Sequence, residues 1–227
     1  MPTLSRRLHK FNQDSQRKCQ PFTEKRLTFF IPALTITTVI NMKKKDFKVI
    51  DLVYIGVGAA LIAVCAFATV PIGPVPFTLQ TLGVCLTAGL LGRRGGIPAV
   101  LVYILLGAVG VPVFSGFKGG IGVLFGATGG YIIGFLFTAL LVGTVADKTK
   151  GKLWQLLLGM TGGVLLCYVF GTAWFAAVFA HNGDPRSLGG ILSVCVVPFL
   201  LPDAVKIVLA AVLTNRLKTV IVKPKKG

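Results

Sequence analysis

Asp203 and Lys206 stand three residues apart in Pro202-Asp-Ala-Val-Lys206, inside a stretch otherwise made of Leu, Val, Ile and Ala. Charges at membrane depth cost about 2.5–3.5 kcal/mol each at a helix centre, so a pair there needs a purpose. Three-residue spacing puts both on one helix face. One use is a mutual ion pair that fixes helix packing. The other is a polar floor for a ligand, where the carboxylate accepts N–H groups and the ammonium donates to a carbonyl or an anion. Pro202 just before Asp203 predicts a helix N-terminus, which adds free N–H groups and a partial positive charge.

Other residues could share that cavity. Gln80 is a buried-type amide in Phe77-Thr-Leu-Gln80-Thr81. Glycine fills 7 of the 16 positions from Gly116 to Tyr131. A glycine costs roughly 1 kcal/mol against alanine within a helix, so this density predicts either close helix packing or a loop that folds back to wall a cavity. Gly129, Gly130 and Tyr131 close that stretch, Lys118 is its one cation, and Trp174 follows in Gly171-Thr-Ala-Trp174. Tyr and Trp at a bilayer edge commonly serve as interface anchors, which is the competing use of both. Small residues on the first apolar segment, Gly56, Ala59, Ala60 and Ala63, recur three and four apart. Such a face packs either within the chain or against a partner.

Catalytic patterns are scarce. His9 and His181 are isolated, and no zinc-protease, nucleophile-elbow or phosphate-loop motif occurs. The chain therefore cannot hydrolyse ATP by the usual route. Cys19, Cys65, Cys85, Cys167 and Cys195 form neither a C-x-x-C pair nor a metal-ligand spacing. The alternative from another class is a membrane-embedded enzyme with Asp203 as general base.

Composition settles what must hold these groups. Hydrophobic residues make up 54% of 227, charged residues 14%, and mean hydropathy is +0.80. Soluble domains carry about 25% charge, and apolar runs of about 20 residues suffice to cross a bilayer. An all-α membrane protein with six transmembrane helices is expected, over about 49–70, 78–91, 97–111, 121–146, 153–180 and 198–217. Residues 71–76, Pro-Ile-Gly-Pro-Val-Pro, must be extended. The net charge of +17 is spread between spans rather than along one face. That pattern encodes orientation and suits anionic headgroups rather than nucleic acid. Lys43, Lys44, Lys45, Lys48, Arg93, Arg94, Lys148, Lys150, Lys152, Arg216 and Lys218 fall on one side, with Lys118 and Arg186 opposite. Both termini are then cytoplasmic. Residues 1–41 carry seven Lys or Arg and one short apolar run broken by Pro32. They read as an extension, with Met42 the natural start and residues 42–227 the membrane domain.

Several motifs in order carry a resemblance: Val75-Pro-Phe-Thr-Leu-Gln80, Tyr103-Ile-Leu-Leu-Gly107 through Pro112-Val-Phe114, Gly126-Ala-Thr-Gly-Gly-Tyr131, and Pro202-Asp203-x-x-Lys206. Over about Lys43 to Arg216 the chain resembles the biotin-specific substrate-binding component of energy-coupling-factor transporters. The resemblance implies a six-helix subunit of the cell membrane that captures biotin on its outer side, with no catalysis and no cofactor of its own. It implies as partners a transmembrane coupling protein and two ATPases that hydrolyse ATP. It also implies that Asp203 and Lys206 read the ureido ring and that Ala59 and Ala63 dock the coupling protein. Ala127 stands where the family has proline, and no arginine near the glycine stretch could hold a carboxylate, leaving Lys118. Another vitamin on the same scaffold, thiamin or riboflavin, is the alternative within the class.

Overall fold

The computed structural model describes residues 48–71, 75–149, 152–181 and 188–221, all within the unit Asp46–Gly227. The expectations for residues 1–41 and for Lys43, Lys44, Lys45, Lys150 and Arg186 fall outside them. In chain order the elements are α1 (Val49–Phe67), β1 (Thr69–Val70), β2 (Phe77–Thr78), α2 (Gln80–Val109), α3 (Ile121–Phe125), α4 (Gly129–Lys148), α5 (Leu153–His181), α6 (Leu188–Cys195) and α7 (Val197–Ile221). Five stretches among the described residues are long and apolar enough to cross a bilayer: α1, α2, α4, α5 and Gly189–Lys218. The protein is an all-α membrane protein; among the described residues the strands are one antiparallel pair of two residues each, Thr69 opposite Thr78 and Val70 opposite Phe77. That pair flanks the proline-rich stretch expected to be extended, of which residues 72–74 lie outside the described ones.

The expected second and third segments form one bent element. Gly92 in α2 takes φ +65°, ψ −169°, a region open essentially only to glycine. A straight helix would place Gln80 and Tyr103 about 35 Å apart. Instead Gln80 Nε2 donates to the Tyr103 hydroxyl at 2.5 Å, so residues 80–91 and 93–109 run back along each other. A Cβ on Gly96 would lie 2.8 Å from Ala88 Cα, so the two arms touch backbone to backbone. Arg93 and Arg94, expected in a loop, open the second arm. Asp147 Oδ2, from the end of α4, accepts the Arg93 N–H at 3.0 Å. Lys218 donates to the Ala146 carbonyl at 3.2 Å, so residues from α2, α4 and α7 meet at this basic end.

Between membrane helices burial supplies little drive, and close packing with interhelical hydrogen bonds takes its place. The α4–α5 contact follows that logic. A Cβ on Gly134 would meet Cys167 at 2.9 Å, one on Gly163 would meet Thr138 at 3.0 Å, and the Thr138 hydroxyl donates to the Gly163 carbonyl at 2.8 Å. The expected fourth span, starting at Ile121, is corrected by the glycine stretch, which ends α3 after five residues and starts α4 at Gly129. α7 is corrected too. It begins at Val197, so Pro202 lies inside it and Asp203 is in its second turn rather than at its N-terminus. Leu201, Val205 and Val208 are exposed on α7, as lipid-facing residues must be, while Asp203 and Lys206 turn inward.

Candidate binding site

The charged pair is buried, with Asp203 4% and Lys206 5% exposed. Lys206 Nζ lies 2.7 Å from Asp203 Oδ1 and 2.6 Å from the Thr78 carbonyl oxygen, to both of which it donates. The ammonium also sits 3.9 Å from the centre of the Phe77 ring, a cation–π contact. Asp203 Oδ1 accepts from the Thr81 hydroxyl at 3.1 Å, and Oδ2 accepts from the Tyr168 hydroxyl. Burying two ions is tolerable only when such bonds satisfy them. Here β2, the first arm of α2, α5 and α7 each contribute one or more of those groups.

Beside this floor Gln80 is held by its own neighbours. The Thr78 hydroxyl donates to its Oε1 at 3.0 Å, and its Nε2 donates to Tyr103 on the second arm. Tyr103 meets Phe114 edge-on at 5.6 Å between ring centres. Above lies a cavity of about 400 Å³, within the usual range for small-molecule sites. Its walls include Pro76, Phe114, Ile132, Phe135 and Phe199, so a mainly apolar body is received with polar groups at its ends. The Tyr131 hydroxyl is buried without a hydrogen bond, with Thr172 and Cys195 as polar neighbours.

The mouth is built differently. The Phe114 N–H donates to the Lys118 carbonyl at 2.9 Å, closing a turn through Gly116 at φ +70° and Phe117 at φ +56°. A phenylalanine rarely adopts that conformation. The Phe117 ring stacks on Phe67 at the end of α1, 4.5 Å between centres, and Ser115 Oγ lies 3.2 Å from Thr69 Oγ1. The turn places Lys118 on the cavity edge, exposed.

Asp203, Lys206, Gln80, Tyr131 and Lys118 therefore come together around one cavity. Gly129, Gly130 and Trp174 do not line it. A Cβ on Gly129 would meet the Leu124 carbonyl at 1.7 Å and one on Gly130 would meet Trp174 Cβ at 2.2 Å. Trp174 Nε1 donates to the Gly126 carbonyl at 3.0 Å, so these three residues hold the bend between α3 and α4. Ala59 and Ala63, expected on a docking face, are buried at 3% and 9% exposure with Ile55, Ile62 and Ala66, on the α1 face that meets α2. The small residues that α1 leaves exposed are Gly56 and Ala60, between Val53, Val57 and Val64. Sequence reading missed Thr78, Thr81 and Tyr168. Two of them flank Gln80 in an apolar run, and a tyrosine in mid-span needs a hydroxyl partner, which was the available signal.

Fold and site together define a multi-pass membrane protein with a mainly apolar cavity of small-molecule size and a buried charged pair at its floor. The model of the BioY family matches residues 41–223, and the chain belongs to that family. It is 42% identical over 168 residues to the biotin transporter BioY of Thermotoga maritima, covering 74% of this chain and 95% of that one. It is 37% identical over 177 residues to a probable biotin transporter BioY of Pyrococcus horikoshii, covering 78% and 98%. The crystal structure of the S-component for biotin from an ECF-type ABC transporter superposes with a TM-score of 0.68 at 31% identity, over 75% of this chain and 92% of that one. These relatives are transporters and transporter subunits, not enzymes.

Proposed function

We propose that the chain captures biotin from outside the cell membrane as the substrate-binding component of an ECF-type transporter. The observation that carries this is the buried Asp203–Lys206 pair at the floor of an apolar cavity. A ureido ring offers two N–H donors and one carbonyl acceptor, which match a carboxylate and an ammonium held side by side. Gln80 and Tyr131 border the ring region, Gly129, Gly130 and Trp174 support it from behind, and exposed Lys118 faces the ligand's carboxylate. Titration calorimetry of the detergent-purified chain tests this. Submicromolar biotin binding with none for thiamin or riboflavin is expected, and tight binding of either of those instead overturns it.

The remaining parts of the reading concern assembly. Residues 80–91 and 93–109 count as two of six membrane segments, with both termini cytoplasmic, because Arg93, Lys148 and Lys218 share the end opposite the cavity mouth. A transmembrane coupling protein with two ATPases supplies the energy, and it docks on α1. Since Ala59 and Ala63 are inside, the docking face is assigned to Gly56 and Ala60. Ala60→Trp is expected to spare biotin binding and abolish ATP-driven uptake, and uptake with an intact complex would refute the assignment. Residues 42–227 carry binding, so deleting residues 2–41 should leave the affinity unchanged.

A further inference from the structure

A carboxylate offers about four acceptor positions, two on each oxygen. Asp203 Oδ1 has both taken, by Thr81 Oγ1 at 3.1 Å and Lys206 Nζ at 2.7 Å. Oδ2 takes the Tyr168 hydroxyl and has one position left. Tyr168 comes from the middle of α5, is itself buried, and lines the cavity beside Cys167. Its ring position is fixed by packing, so its hydroxyl fixes which position on Oδ2 is filled. Thr81 and Lys206 hold Oδ1 of the same rigid plane, and Tyr168 is the group that takes a position on Oδ2 itself.

We propose that Tyr168 is the specificity-determining positioning residue of the site: by occupying one of the two positions on Asp203 Oδ2, it leaves one acceptor, which reads a single ring N–H of the ligand. This rests on the reading that Asp203 meets the ligand's N–H side. A ligand with two ring N–H groups is thereby read unequally. One nitrogen must carry its hydrogen, while the other meets no acceptor on Asp203. The class selected is a cyclic urea or amide with a free N–H at one defined position. Without the Tyr168 hydroxyl the carboxylate keeps its ion pair and gains a second open position on Oδ2, so either ring N–H can be accepted.

Calorimetry with biotin and with biotin N-methylated at each ureido nitrogen in turn tests this on the full chain. In the unaltered protein one isomer should bind at least about tenfold more weakly than biotin, and the other within about threefold. Tyr168→Phe keeps the ring, so the variant should lose about tenfold in biotin affinity and the gap to the disfavoured isomer should shrink below about threefold. In an Asp203→Asn background the same change should alter neither quantity by more than about twofold. Equal treatment of the two isomers by the unaltered protein overturns the proposal without any variant. So does a Tyr168→Phe chain that loses affinity for all three ligands alike, or only melts earlier, with the preference kept. If the unaltered chain binds no biotin, the functional reading itself has failed, and the proposal fails with it for that separate reason.

Discussion

The floor and the mouth of the cavity are held by different physics. At the floor two opposite charges are taken out of water and tied by side chains and one carbonyl from four elements. Neither ion can leave without stranding the other's buried charge. At the mouth Lys118 and Phe117 are exposed, and the turn that carries them is held by the Phe114–Lys118 backbone bond, the Gly120 N–H donating to the Gly107 carbonyl at 2.7 Å, one ring stack and a hydroxyl contact to Thr69. Each of those is a small term, and a positive φ at Phe117 works against them. Groups fixed before a ligand arrives lose the least freedom on binding, and the floor offers such groups where the mouth does not.

The contrast can be broken most forcefully at Lys206. Lys206→Met keeps the stem's length but leaves Asp203 buried beside no cation, and breaking one side of a buried pair costs about 3–5 kcal/mol. A large drop in melting temperature in detergent is expected. An unchanged one would mean the floor is not electrostatically locked. Asp203→Asn comes next, because the amide keeps the shape. Hydrogen bonds to charged groups are worth about 1.5–3 kcal/mol, so biotin affinity should fall about 10- to 150-fold. Retained affinity with a collapsed melting temperature would instead make the pair structural.

A third substitution tests whether mouth and floor are separable. A Cβ on Gly107 would lie 2.1 Å from the Phe114 ring, and Phe114 leans on Tyr103, the partner of Gln80. Gly107→Ala should destabilise by about 1–3 kcal/mol through overpacking and weaken binding as well. If only stability moves, the mouth does not communicate with the floor along this path. The smallest effect is expected at Lys118. Its charge is exposed and screened, so Lys118→Gln should weaken biotin by only a few-fold, and less in high salt. A hundredfold loss would place it in the floor's regime and erase the distinction.

How much of this was legible beforehand differs between residues. Asp203, Lys206 and Gln80 were visible because polar groups in apolar runs are conspicuous at any register, and a three-residue spacing shares a face on any helix. The bend at Gly92 was half visible: two short segments were expected, but Gly92 differs from its neighbours only in having no Cβ. Its need for that conformation arises from Asp147 and the returning arm. Ala59 and Ala60 illustrate the remaining limit. They are adjacent, equally small and equally plausible at a docking face, yet one is buried and the other exposed.

The membrane class, the charged pair and the family were legible in the sequence, because each depends on composition, local spacing or motif order, whereas several segment bounds moved. Helix packing, by contrast, set which face of α1 turns inward, that Trp174 braces a bend, and that Tyr168 reaches Asp203 across 35 residues. The reason is physical. Helix rotation and long-range hydrogen bonds are fixed by how several helices pack at once, and no single stretch of chain contains that information.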